Sequence, residues 1–175
     1  GRLLLHDYLT GAHFERGNTE NHWLMYYTGL LLACEQFPDS DFTWNGLSPQ
    51  ALAAEAKRWI LGTIERTARL GHHEYDSTHY HVEHMVAYVG LYEHSQDEHL
   101  RAQCEKKLSI LVADMALEYF KGAWAGGHSR EGYRRNTWTH SGAVQPLNYL
   151  YFGDIDFNPR IHGGSFDTPI LVATY

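Results

Sequence analysis

Cysteine and long apolar runs are both scarce in this chain of 175 residues. Its two cysteines, Cys34 and Cys104, define no disulfide framework or zinc site, and both fall at apolar positions of predicted helices. We therefore expect buried free thiols. No segment is long and apolar enough to span a membrane, and no segment near the start is signal-like. Because the chain begins without Met and ends on the strand-like run 170–175, we expect it to be a portion of a longer protein.

Basic residues are outnumbered, with 14 Lys and Arg against 21 Asp and Glu, which gives a net charge of −7. That balance argues against a nucleic-acid partner, which would usually need a basic surface. It still allows an anionic ligand held by a local basic cluster. The length and the 43% hydrophobic content suit one domain with a packed core. Aromatic residues make up 14% of the chain, and they suit either that core or a sugar-binding cleft.

Apolar residues recur every three or four positions over long stretches, which predicts helices. Ser48 as a cap, Pro49 at the first helical position and Gly71 as a stop bound one of them. Thr19 is the candidate cap of an earlier helix. The predicted helices, which follow a short helix and a loop within 1–19, cover about 20–36, 49–70, 77–94, 97–120 and 141–151.

Helical hairpins joined by short loops predict an all-α fold, with more than half of the ordered residues helical. The first long helix is apolar nearly all round, so we expect it to be buried on most faces. Antiparallel hairpins of this kind suit part of an (α/α) toroid with inner and outer helix rings, or an ordinary helical bundle. We assign residues 1–153 to this helical domain. Residues 154–175, to which we expect strand to be confined, are predicted to link it to a following β domain.

Asn21 and His22 open the buried first helix. An Asn amide at this place can hydrogen-bond a substrate carboxylate and stabilise the enolate that forms after proton loss. The adjacent His can act as a base or orient the Asn. The alternative is a capping Asn beside a partly exposed His, and these two residues alone favour that alternative.

A second polar cluster runs from Glu74 to His81, at the start of the third long helix. Tyr80 is the candidate acid and base, because a phenol with a lowered pKa can take and return a proton at a sugar ring. The alternative is that Tyr80 packs and that the polar residues before it cap the helix. In a toroid both clusters lie where inner helices begin, so we expect Asn21 and Tyr80 to face one cleft.

The order of these motifs resembles a known family. Asn-His is followed by an apolar Gly-Leu-Leu-Leu helix, a second helix that contains Trp, and then Glu-x-x-Ser-x-x-Tyr-His. Over roughly residues 18–115 the chain resembles the heparinase II/III and alginate-lyase group of polysaccharide lyases, in which an (α/α) toroid precedes a β-sandwich. The resemblance implies that Asn21 neutralises the substrate carboxylate, that Tyr80 is the general acid and base, and that Glu74 and His81 support the cleft. It also implies a periplasmic or extracellular location.

Two features depart from the family pattern. Thr78 follows Ser77 where the family often has Pro, and a further catalytic His commonly comes from later in the chain.

Histidines cluster between the second and third predicted helices. His81 and His84 are one helical turn apart and can share a face. The chain has no His-Glu-x-x-His zinc signature, so we predict no metal ion and no cofactor in this portion. The clustered histidines are His72, His73, His79, His81 and His84.

A Gly-flanked basic loop follows the fourth long helix. Its arginines can pair with carboxylate or sulfate, and nearby aromatic rings can stack on sugar faces. The alternative is a solvated loop that closes a helical hairpin. The candidate substrate-binding residues here are Trp124, His128, Arg130, Tyr133 and Arg134, with Arg135 and Trp138 close by.

The sequence thus predicts a lyase that cleaves a uronic-acid-containing polysaccharide by β-elimination. The first alternative is a glycoside hydrolase on the same kind of toroid, with Glu20 as one carboxylate and Glu74 or Asp76 as the other. The second is a non-catalytic helical domain that binds carbohydrate. The expected partner in each case is an acidic polysaccharide or oligosaccharide, and fold alone does not choose among them. The sequence leaves the oligomeric state open.

Overall fold

The computed structural model of the protein describes residues 19–41, 43–44, 46–125 and 143–153. Helix makes up 72% of this part of the chain, in five helices, so the all-α prediction is confirmed. The predicted short helix within 1–19 and the predicted strand after 154 lie outside the described residues. The helices are α1 (Glu20–Gln36), α2 (Pro49–Leu70), α3 (Tyr80–His94), α4 (Glu98–Glu118) and α5 (Gln145–Phe152).

The ends of α2 follow from local chemistry alone. The Ser48 hydroxyl accepts a hydrogen bond from the backbone N–H of Ala51 at 3.3 Å, and Pro49 opens the helix. Gly71 ends it at φ 74°, in the region where a residue with a Cβ is strained. Helix α1 also has the predicted bounds, but Thr19 caps it by position only. The Thr19 hydroxyl lies instead 3.2 Å from Nδ1 of His22.

Helix α3 begins later than predicted, at Tyr80 rather than near Ser77 or Thr78. The chain turns through 73–76, where Asp76 takes a positive φ of 57°. The Ser77 hydroxyl then accepts the backbone N–H of Tyr80 at 2.9 Å and that of His79 at 3.3 Å. Ser77 is therefore the residue that satisfies the first N–H groups of the helix, as a cap does.

The prediction that strand is confined to the tail was wrong. Helix α4 ends at Glu118, and the next residues form a small antiparallel hairpin of β1 (Tyr119–Phe120) and β2 (Ala123–Trp124). Lys121 and Gly122 between them have φ of 49° and 82°. Positive φ at both central residues is what a tight type I′ hairpin turn requires. The predicted helix extended to residue 120, past the observed end of α4 at Glu118. Apolar periodicity does not show where a turn reverses the chain.

Four helices pack as two layers. Helix α1 packs on α2 and α3 on α4, while α1 also packs on α3 and α2 on α4. Their apolar stripes meet in one continuous core, to which the fully buried Trp124 of the hairpin also belongs. Cys34 and Cys104 are buried free thiols within it, as predicted.

Helix α5 is tied to the rest by two specific hydrogen bonds. The backbone N–H of Val144 donates to the carbonyl of Thr78 at 3.1 Å. The side chain of Gln145 donates to the carbonyl of Gly122 at 2.6 Å. These bonds hold the start of α5 between the hairpin and the segment that leads into α3.

Among the described helices, none combines the length and the apolar character that crossing a bilayer requires.

The core of α4 gives a direct test of this packing. Leu108 is fully buried, whereas Leu117 in the same helix is 83% exposed. We expect Leu108→Ala to lower the free energy of unfolding by about 2–5 kcal/mol, because it leaves a cavity. Leu117→Ala should change it by less than about 0.5 kcal/mol. Urea unfolding of both variants measures the difference, and equal losses would contradict the packing described here.

Candidate functional site

The two sequence motifs meet at the start of α1. Asn21 donates its side-chain N–H to Oε2 of Glu74 at 2.5 Å, and its backbone N–H approaches the same oxygen at 3.4 Å. The two residues are 53 positions apart and are 1% and 4% exposed. The segment after α2 therefore folds back onto the first turn of α1, and the polar ends of both motifs share one buried place.

Glu20 organises the residues around that contact. Its Oε2 accepts the backbone N–H of His73 at 2.7 Å, and its Oε1 lies 3.2 Å from Nδ1 of His72. The Nε2 atom of His84 lies 3.8 Å from a carboxylate oxygen of Glu20 and 3.8 Å from one of Glu74. The two glutamates thus flank one imidazole.

The rings of His72 and His84 lie face to face, with their centroids 3.9 Å apart and their planes at 13°. Both side chains are buried, at 8% and 1% exposure. Burial lowers the pKa of both imidazoles, and in His72 the neighbouring Glu20 offsets only part of that effect. The rings are consequently neutral at neutral pH, which is the form that accepts a hydrogen bond or ligates a metal.

The Glu20 carboxylate is ionised in this setting. Burial by itself raises its pKa, but the adjacent imidazole of His72 and the backbone N–H groups of His73 and Glu74 bring the pKa below its usual value. One carboxylate and two neutral imidazoles therefore face each other. Among the described residues, Glu20, His72 and His84 form a group whose candidate ligand atoms lie within 4.8 Å of one another.

His81 is part of the core. Its Nε2 lies 3.1 Å from the backbone carbonyl of Leu111, which makes the nitrogen the donor. The ring meets that of Trp124 edge to face at 5.3 Å. Burial, together with the neighbouring His72 and Lys107, lowers the pKa of His81 to about 3, against the opposing hydrogen bond to Leu111. The sequence analysis placed His81 beside the proposed chemistry. In the structure, its ring is buried and neutral.

Tyr80 and His22 occupy the first turns of α3 and α1, and both are partly exposed. The Tyr80 ring packs edge to face on His79 at 5.0 Å. Since α1 packs directly on α3, these two first turns belong to neighbouring elements. Of the sequence-predicted site residues, Asn21 and Glu74 are in direct contact.

Trp124 was predicted to stack on a sugar, and the structure places it differently. Only 1% of the residue is exposed, and its ring packs on His81 in the core. A ring buried on both faces offers no surface to a sugar, so the prediction for Trp124 is corrected. His128, Arg130, Tyr133 and Arg134 lie outside the described residues.

Lys107 is a polar residue of this region that the sequence analysis missed. It is 1% exposed and donates from Nζ to the carbonyl of Thr67 at 3.3 Å. Burial lowers its pKa to about 8, while the charges of Asp114 and Glu20 act in the opposite direction. A signal was present in the sequence. Lys107 interrupts the apolar stripe of α4 at a core position, next to Leu108 and one turn after Cys104.

A small cavity of about 10 Å³ lies between these groups, lined by side chains that include His72, Glu74, His84, Lys107 and Asp114. That volume is about what one water molecule needs. A sugar ring requires far more room, so it does not enter this cavity as it stands.

Comparison with known protein families, curated proteins and solved structures finds no match for this chain. The resemblance to polysaccharide lyases therefore rests on the sequence motifs alone.

The buried ring of His81 predicts acid sensitivity. An unfolded chain binds a proton on His near pH 6.5, whereas folded His81, with its pKa of about 3, does not. Its contribution to stability is full above about pH 6.5 and decreases as the pH falls, by up to about 1.4 kcal/mol per pH unit. Between pH 6.5 and pH 5, the free energy of unfolding should therefore decrease less in His81→Gln than in the parent protein. Urea unfolding measures this difference. Identical slopes in both proteins would contradict this account.

Proposed function

We propose that the chain is the helical portion of a polysaccharide lyase that cleaves a uronic-acid-containing polysaccharide by β-elimination. The observation that carries the proposal is the hydrogen bond between Asn21 and Glu74. It joins the two motifs on which the resemblance rests, although 53 residues separate them. A contact between the motifs is expected if both border one site. Helix propensity alone does not explain such a contact.

The packing order of the helices supports the toroid part of the proposal. In a toroid of hairpins, inner helices neighbour inner helices and outer helices neighbour outer ones. Helix α1 packs on α3, α2 packs on α4, and each hairpin packs on itself. A square four-helix bundle has the same neighbours. The toroid reading therefore depends on further hairpins outside this chain.

The chemistry assigned to the site has two parts. A base removes the proton beside the sugar carboxylate, the bond to the glycosidic oxygen breaks, and a carbon–carbon double bond forms. Tyr80 is the proposed base and then returns the proton to the leaving oxygen. The carboxylate must be neutralised while the enolate develops, and Asn21 is the proposed amide donor. His22 is proposed to assist as a base or by orienting Asn21.

Asn21 is constrained in this role by its surroundings. One N–H of its amide is held by Glu74, and only 1% of the residue is exposed. An amide has two N–H bonds, so the second is the group proposed to meet the substrate. A local rearrangement at the start of α1 must open a path to it. The basic residues of 128–135 are proposed to provide further carboxylate or sulfate contacts, and the enzyme is proposed to act in the periplasm or outside the cell.

One observation favours a second candidate, a glycoside hydrolase. Glu20 and Glu74 both lie 3.8 Å from Nε2 of His84, so their nearer oxygens are at most twice that distance apart. Paired carboxylates at short range are what glycoside hydrolysis needs. Glu74 is buried, and the cavity beside it has room for about one water, which weighs against this candidate.

Tyr80→Phe tests the lyase directly. In the full-length protein we expect the variant to release no unsaturated product while it still binds substrate, because the phenol oxygen that takes the proton is gone. Ultraviolet absorbance of the new double bond measures the product, and calorimetry measures binding. Tyr149→Phe, a 39% exposed position on α5, is the matched control and should keep full activity.

Asn21→Ala tests the carboxylate donor. We expect its rate to fall by roughly two orders of magnitude or more, by analogy with the loss of an oxyanion donor. Because the change also leaves Glu74 without its amide partner, the rate is measured well below the melting temperature. Asn148→Ala, which removes an equally buried Asn from α5, should cost stability without the loss of rate.

The same assays separate the alternatives. Near-full activity in Tyr80→Phe, together with an inactive Glu74→Gln, would replace the lyase by the hydrolase. If the parent protein and all variants bind an acidic oligosaccharide but none cleaves it, the result would support the non-catalytic carbohydrate-binding domain.

A further inference from the structure

We propose that Glu20, His72 and His84 bind one divalent transition-metal ion, with zinc as the best match. The site is independent of the proposed lyase activity, because it uses none of Asn21, His22 and Tyr80. It draws on three separate parts of the chain, namely the first turn of α1, the segment after α2, and the second turn of α3. The ion would link these three parts together.

The donor set is the first argument for the site. Two imidazoles and one carboxylate are a common protein ligand set for zinc when a fourth position stays open. The candidate ligand atoms of the three residues already lie within 4.8 Å of one another. Zinc requires ligands at about 2.0–2.2 Å, so the three side chains must move inward when the ion binds.

Unsatisfied buried nitrogens are the second, independent argument. Neither ring nitrogen of His72 has an aligned hydrogen-bond partner among the described residues, and the same holds for Nε2 of His84. Buried polar atoms in folded proteins nearly always have partners, so each exception needs an explanation. A metal ion would supply one partner to each imidazole at once.

A backbone hydrogen bond holds the Glu20 carboxylate in place. Oε2 of Glu20 accepts the backbone N–H of His73, which leaves Oε1 on the side of His72. Hydrogen bonds of this kind orient metal ligands and raise the affinity of the site. The small cavity lined by His72, Glu74 and His84 has room for one water as the fourth ligand.

The stacked rings define a structural signature. Metal–nitrogen bonds lie in the plane of an imidazole, so parallel rings at 3.9 Å do not ligate one ion as they stand. Both rings must turn about their Cβ–Cγ bonds when the ion enters. Binding should therefore shift the ring proton resonances of His72 and His84, and leave those of exposed histidines unchanged.

The test uses the whole chain, treated with a chelator and then titrated with zinc chloride by calorimetry. We expect one ion per chain and a rise in melting temperature with added zinc, since the ion binds the folded form. Glu20→Gln and His84→Gln should each weaken binding by at least about tenfold to a hundredfold and abolish that rise. His73→Gln, which changes an exposed neighbour, is the matched control and should bind as the parent does.

Glu20→Gln is the decisive variant because it preserves the shape of a partly exposed side chain, whereas His84→Gln alters the core. Should His84→Gln fail to fold, the comparison of Glu20→Gln with His73→Gln stands alone. X-ray absorption of the zinc complex should show nitrogen and oxygen ligands at about 2.0–2.1 Å, with two imidazoles. Unchanged affinity in Glu20→Gln, equal weakening in His73→Gln, or sulfur ligands would each overturn the proposal.

Discussion

Two carboxylates at the start of α1, the buried Glu74 and the partly exposed Glu20, set the constraint on which the rest of this structure depends. An ionised group taken out of water costs several kcal/mol unless partners replace its hydration. Glu74 accepts one side-chain N–H of Asn21 and lies near its backbone N–H, while Glu20 accepts the backbone N–H of His73 and faces His72. Each of these contacts joins the start of α1 to the segment after α2, and together they hold that segment against α1.

The contact between this segment and α1 fixes where α3 begins and its direction. The segment 71–79 is held at Glu74, and Ser77 then satisfies the first N–H groups of α3. Thr78 accepts a bond from the start of α5, which brings the hairpin after α4 to the same end of the domain. Helices α1 and α3, with His22 and Tyr80 on their first turns, pack on each other, and Glu20 of α1 lies 3.8 Å from His84 of α3.

The same polar cluster is open to three chemical interpretations, and burial decides how they rank. The phenol of Tyr80, which is partly exposed, is the group that suits the proposed proton transfer at a sugar ring. The paired carboxylates suit hydrolysis by distance, but the cavity beside Glu74 admits about one water. A metal ion needs only a few cubic ångströms and several donors, so the innermost groups fit an ion better than a substrate. A buried ion and an exposed reaction site are compatible, since the first would stabilise the segment that carries the second.

The sequence by itself determined what depends on neighbours along the chain. Caps and stops are local, so Ser48, Pro49 and Gly71 predicted α2 correctly, and the apolar run after Thr19 predicted the bounds of α1. Tertiary structure alone decided the rest. The bond from Asn21 to Glu74 and the stacking of His72 on His84 join distant parts of the chain, and no spacing rule reports them. Burial decided the places of His81, Lys107 and Trp124, because which face of an element meets the core depends on its partner helices.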